Sequence, residues 1–420
     1  IKKKLKKEYA FFYSISFALL AYPVSGTPFV DLHATFFSVL AIYFTFLAIE
    51  KPTINLNWFL IVLFYFFSFL SKQVPAAYFI VLNFIIILPY LIVSKKFKPL
   101  IIIFLSLSFF LALTFFLLSI LNINFKDFYI QYFDYPRDIG SERLNIFNIS
   151  LKSIISNYKF ILIPIFFLLV IKLKKLFTGK INFYSKEFTS FLIFLSLLFC
   201  LVLHQTLTKN QVYIQFLIPL SFAFLHFEIQ ELNLKSKIFF KCFIVLCVIL
   251  LSIKYHIRFN EDRKFHELVN VDISKAVDAT YLDQTLKGLL WISPSYNGGP
   301  QEEIKMLKRV KNQIEKKENE IILITNYLFL DSITSKNLNS PSRTHTMGGD
   351  SLPQFDNKHF TYYKNFLEEK VKKKNIEEVY FIKSEEISRK IFIQFFDKSC
   401  YSQFEDDIFI FYKLDQECIN

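Results

Sequence analysis

Glycine is scarce in this chain of 420 residues: there are eight, against 54 phenylalanines. Alongside abundant Ile, Lys, Asn and Phe, that scarcity reads as a compositional bias of the source rather than a functional signal. Cysteine is sparse too, five in all, and nothing resembles a zinc ligand set. No internal period is apparent, and polar residues gather at the ends of apolar runs instead of at their centres. Both absences argue against a transporter built from repeats around a midplane site. No small-residue cleavage pattern follows the first apolar run, so "KKKLKK" (2–7) reads as an interior loop and not as a signal peptide.

Long charge-free stretches are what the sequence has, and with 53% hydrophobic residues they exclude an ordinary soluble protein. The run 99–121, "PLIIIFLSLSFFLALTFFLLSIL", has no charge. At ~1.5 Å rise per residue it crosses a hydrocarbon layer of ~30 Å. Similar runs near 9–22, 30–49, 57–71, 74–93, 159–171, 188–203, 211–227 and 237–253 bring the expected number of spanning helices to about nine. The net charge of +13 follows from topology rather than from nucleic-acid binding. With residues 2–7 inside, the inner loops hold 17 Lys and Arg and the outer loops 6. The expected orientation is therefore N-terminus in and C-terminus out, in the plasma (inner) membrane.

After Tyr255 the chain becomes charged and turn-rich. The expected organisation is an α-helical polytopic membrane domain over 1–255 and a small exterior (periplasmic) α/β domain over 256–420. In the latter, "GLLWIS" (288–293), "IILIT" (321–325), "VYFI" (379–382) and "IFIFYKL" (408–414) read as strands. Ile304, Leu307, Val310 and Ile314 mark a helix face, with Pro300 in its first turn, and a second helical stretch is expected from Ser384. "YNGGPQEE" (296–303) reads as a plain turn and cap or as an anion-holding helix start. Cys200, Cys242 and Cys247 lie in apolar runs, where a thiol acts as a small apolar group. Cys400 and Cys418 flank the last strand, and outside the membrane they are expected to form a disulfide.

Under this topology four hairpins bring polar groups to the outer face. Asp31 and His33 open one helix, and Lys72 and Gln73 sit between two others. "QYFDYPRDIGSERL" (131–144) supplies Asp134, Arg137, Asp138, Glu142 and Arg143, and His204, Lys209 and Gln211 come up on the same side. Taken singly, Asp31 reads as an N-cap, His33 as a helix-end residue, Lys72 as a snorkelling side chain, and the arginines as partners of nearby carboxylates. Taken together, cations beside carboxylates at a membrane face suit a phosphate-bearing lipid head group.

"VDLHATFFSVLAIYFTFLA" (30–48), "FFSFLSKQVPAAYFIVLNFIIILPYLI" (66–92) and "NQVYIQFLIPLSFAFL" (210–225) resemble the core of GT-C type membrane glycosyltransferases, in the protein mannosyltransferase and aminoarabinose transferase branch. The resemblance covers roughly 10–255. It implies a polyprenyl-phosphate-linked sugar donor and a lipid, glycan or protein acceptor outside the cytoplasm. It also places Asp31 and Lys72 near the donor, with Lys72 facing the phosphate. Arg137, Arg143 and Lys209 are further candidates for that phosphate, and Asp31 and His33 are weaker candidates for catalysis. In such enzymes the catalytic carboxylate sits in the first outer loop. This chain, which starts with Ile, is expected to begin downstream of it, leaving the general base outside the sequence. No cofactor is evident, and a divalent cation stays open. Two other classes stay open: a lipid-linked sugar polymerase or ligase, and a membrane transporter.

Overall fold

The computed structural model describes residues 5–21, 30–146, 150–207, 214–232, 236–258, 271–293, 296–342 and 352–419, with the backbone alone for 142–146. The chain divides into two compact units, Ile1–Val269 and Asn270–Asn420.

The first unit is helical: α1 (Lys7–Leu20), α2 (Val30–Glu50), α3 (Asn55–Ser71), α4 (Gln73–Val93), α5 (Phe97–Ile120), α6 (Phe125–Tyr129), α7 (Tyr135–Ile146), α8 (Leu151–Phe177), α9 (Lys186–Leu207), α10 (Leu217–Glu231) and α11 (Lys237–His256). Each of the nine apolar runs holds a helix, but among the described residues the helices long and apolar enough to cross a membrane number six: α2, α4, α5, α8, α9 and α11. The helices α1, α3 and α10 have 14, 17 and 15 residues. At ~1.5 Å per residue they reach ~21–26 Å, short of the ~30 Å hydrocarbon layer.

Helices α2 and α3 pack closely because α2 turns small residues towards its neighbours. Ala34, Ser38, Ala41, Thr45 and Ala48 recur three and four residues apart, and all are buried. Small side chains let helix backbones approach, and hydroxyls then bond across the seam. Ser38 Oγ lies 2.7 Å from Ser68 Oγ, which donates to the Ala34 carbonyl at 2.6 Å. Around this pair α4 and α9 pack together, α5 lies against α3, and α8 and α11 lie against α10. The outward faces of α5, α8 and α11 carry Phe104, Phe116, Phe166 and Phe243 exposed, surfaces suited to lipid and not to water. Lys186 Nζ donates to the Glu50 carbonyl at 3.1 Å, so the end of α2 meets the start of α9. The start of α2 and the end of α9 therefore share the opposite end of the bundle.

The second unit contains β1 (Val277–Asp278), β2 (Leu290–Trp291), α12 (Gly299–Glu315), β3 (Glu320–Ile324), α13 (Leu330–Ile333), α14 (Phe360–Lys374), β4 (Ile376–Ile382), α15 (Lys390–Ile393), β5 (Tyr401–Glu405), β6 (Phe409–Leu414) and α16 (Gln416–Ile419). The strands β1 and β2 pair antiparallel. The main sheet has the order β3-β4-β6-β5, with β3 and β4 parallel and the other pairs antiparallel. Ile304, Leu307, Val310 and Ile314 of α12 form one core with Ile321, Leu323, Tyr380, Ile382 and Phe409. The alternate strand residues Ile322, Ile324, Val379 and Phe381 are also buried, and α14 packs against β4. A strand buried on both faces reads as an unbroken apolar run, which is why "IILI" lacks alternation. The helical stretch expected from Ser384 shrinks to the single turn α15. A disulfide joins Cys400 to Cys418 across 5.2 Å between Cα atoms.

Candidate functional site

Three side chains meet where α2 begins, α3 passes to α4, and α9 ends. Lys72 is the one residue between α3 and α4, and its backbone is extended (φ −160°, ψ 135°). That break turns its side chain towards α2, where Nζ donates to both oxygens of Asp31 at 2.7 Å. His204, near the end of α9, places Nε2 3.2 Å from Asp31 Oδ1. The carboxylate of Asp31 is thus engaged by Lys72 and His204, in place of the N-cap role its position suggested. An ionised carboxylate at a membrane helix end needs such partners, since an uncompensated charge there costs several kcal/mol.

Exposure gives the cluster a direction. The Asp31 side chain is 3% exposed, Lys72 30%, and His204 is buried. Lys72 is therefore the member that faces outward, anchored from behind by the buried pair. Two of the three ammonium N–H donors suffice for Asp31, which leaves donor capacity on the open side.

His33 does not join this cluster: two residues beyond Asp31 it points to a different side of α2 and is exposed. Arg137 is exposed, 3.8 Å from Asp134, and makes none of the Asp31–Lys72–His204 contacts. The side chain of Arg143 and all of Lys209 lie outside the described residues.

The break at Lys72 is braced from above. Between α6 and α7 runs a π-helical turn, Ile130–Asp134. Tyr132 donates its hydroxyl to the Phe69 carbonyl, and its own carbonyl accepts from Gln73 Nε2. The last carbonyls of a helix lack partners within it, so Tyr132 satisfies a group that the end of α3 sets free.

A second charged cluster occupies the other end of the bundle. Lys172 and Lys175 from α8 meet Glu187 from α9 and Glu228 and Glu231 from α10. Lys172 lies 2.7 Å from Glu187, and Lys175 lies 2.9 Å from both Glu187 and Glu228. The three carboxylates are close enough to share a metal ion, but two ammonium groups already sit among them and offset two of the three charges. Glu187 and His204 are 17 residues apart on α9, which sets the two clusters ~26 Å apart along the axis. The loop-charge reading missed this network by treating Lys172 and Lys175 as solvated. Their i,i+3 spacing, matched by Glu228 and Glu231, was the available signal.

In the second unit the "YNGGPQEE" turn is closed from within. Gly299 takes φ +71°, and Glu303 accepts from Trp291 Nε1 and the Tyr327 hydroxyl, both at 2.7 Å. At the carboxyl ends of β3 and β4, Glu385 accepts from Thr325 Oγ1 and, at 2.8 Å, from the Asn326 N–H. Burial pushes its carboxyl up to about 7, outweighing those two hydrogen bonds. No family model, curated protein or solved structure matches the chain.

Proposed function

We propose that this protein transfers a sugar from a polyprenyl-phosphate-linked donor to an acceptor at the membrane face on which Lys72 opens. The observation that carries the reading is the outward-facing Lys72 ammonium held by the buried Asp31, whose carboxylate His204 also engages. The short motifs around Asp31 and Lys72 resemble those of GT-C transferases and point the same way. In the transfer, the bond from the anomeric carbon to the phosphate oxygen breaks while the acceptor hydroxyl oxygen bonds to that carbon. Negative charge grows on the departing lipid phosphate, and a fixed cation lowers the barrier most where charge develops. Lys72 takes that role, with Arg137, Arg143 and Lys209 as supplementary cations. The acceptor hydroxyl gives up its proton to a general base as its oxygen attacks.

The same reading has α1, α3 and α10 cross the membrane with the six longer helices. Nine spans with the N-terminus inside then put residues 270–420 on the outer side, by the loop charges. The test is release of polyprenyl phosphate in membranes containing the full-length protein. Release that depends on the protein and disappears in Lys72→Gln supports the proposal, and equal release by the variant refutes it.

A further inference from the structure

The segment between α5 and α8 carries a face for which the transfer reading has no use. Phe125 and Tyr129, four residues apart on one side of α6, are 51% and 47% exposed. They continue an exposed apolar strip from Ile120, Leu121 and Ile123 at the end of the spanning helix α5. The Phe125 ring packs 5.3 Å from Phe115, which lies within α5, so the start of α6 turns back against the end of the helix it follows. The other side of the segment is already used, because Phe128 stacks on Tyr132, which packs 6.3 Å from Phe69, while Phe133, stacked on Tyr129 at 5.9 Å, reaches Phe69 at 5.6 Å and joins the two sides. The polar residues Asp134, Arg137 and Asp138 come next. Half-exposed aromatics joined to a spanning helix and followed by charged residues match the chemistry of a bilayer interface, where amphipathic rings settle at head-group depth.

We propose that α6 (Phe125–Tyr129) docks on the lipid surface with Phe125 and Tyr129 turned to the upper acyl chains. The occupant of this face is lipid, because the face is continuous with the lipid-facing surface of α5. Docking also sets the depth of Lys72, since Tyr132 binds the residues on both sides of it, through the Phe69 carbonyl and the Gln73 side chain. The proposal stands apart from the transfer chemistry and survives if that reading fails.

The test uses the whole chain reconstituted in phosphatidylcholine vesicles, with Phe125→Trp and Tyr129→Trp made singly. Trp58 and Trp291 contribute a background measured on the unmodified chain. Lipids brominated near the head group should quench the added tryptophan more than lipids brominated near the chain end, and aqueous iodide should quench it weakly. Emission indifferent to bromine overturns the proposal, with iodide access meaning an open face and iodide protection meaning a protein cover. Stronger quenching from the chain end overturns it as well, because the segment would then be buried in the core.

Discussion

Replacing Lys72 by methionine removes the cation from a carboxylate that has almost no route to water. Asp31 is 3% exposed, so its charge stays buried with His204 beside it, whereas Lys72 at 30% can turn into solvent if Asp31 is the residue changed. Breaking a buried pair from the side that leaves a buried charge costs about 3–5 kcal/mol. Leaving a half-open lysine costs roughly 1–2 kcal/mol. Lys72→Met should therefore destabilise more than Asp31→Asn, and the double variant should lose less than Lys72→Met alone, with a coupling of about 2–3 kcal/mol. Cys200 provides the assay: it is a buried free thiol one helical turn before His204. With Cys242 and Cys247 changed to serine, the temperature at which Cys200 reacts with a maleimide in detergent reports opening of the bundle there. Equal losses in the two single variants, or a double variant that loses their sum, would refute this account of the cluster.

Three further outcomes are expected. A cysteine introduced at Asn297 should react with an impermeant reagent on intact cells, and reaction only after lysis reverses the orientation. Because Glu385 is held at about 7, above its ordinary 4.5, the folded second unit keeps its proton where the unfolded chain has lost it. Stability of that unit should fall by up to roughly 2–3 kcal/mol as pH rises from about 4.5 through about 7 and then level off. Glu385→Gln should flatten that part of the profile in a pH series of unfolding curves, and an unchanged slope sends the effect elsewhere. Lys175→Met should lower the unfolding temperature at the other end of the bundle, since Glu228 is buried and loses one of two ammonium partners. No change there would mean that Lys172 alone satisfies it.

The features legible in the sequence were those with a period or an end. Ile304, Leu307, Val310 and Ile314 announced α12 by spacing, and Asp31 and Lys72 could be assigned to one end of the bundle because both sit where apolar runs break. Their direct contact was not legible, because it depends on the extended backbone at Lys72 and on the rotation of α2 against α3. His204 was expected at the same face, but its bond to Asp31 depends on how α9 is rotated. The strand β5 went unread because "YSQFE" at a sheet edge is largely exposed and has no buried alternation. The Lys172–Glu228 network went unread because a lysine at a helix end looks solvated until its neighbours are known.

The anion site proposed at Lys72 is probed by equilibrium binding of a short polyprenyl monophosphate to the purified chain. A charged hydrogen bond of about 1.5–3 kcal/mol corresponds to roughly 10–100-fold in Kd. Lys72→Gln is expected to weaken binding by that factor, Lys72→Arg to retain most of it, and uncharged polyprenol to bind the unmodified chain no better than it binds Lys72→Gln. Equal affinity of the unmodified chain and Lys72→Gln for the monophosphate would contradict the proposed site.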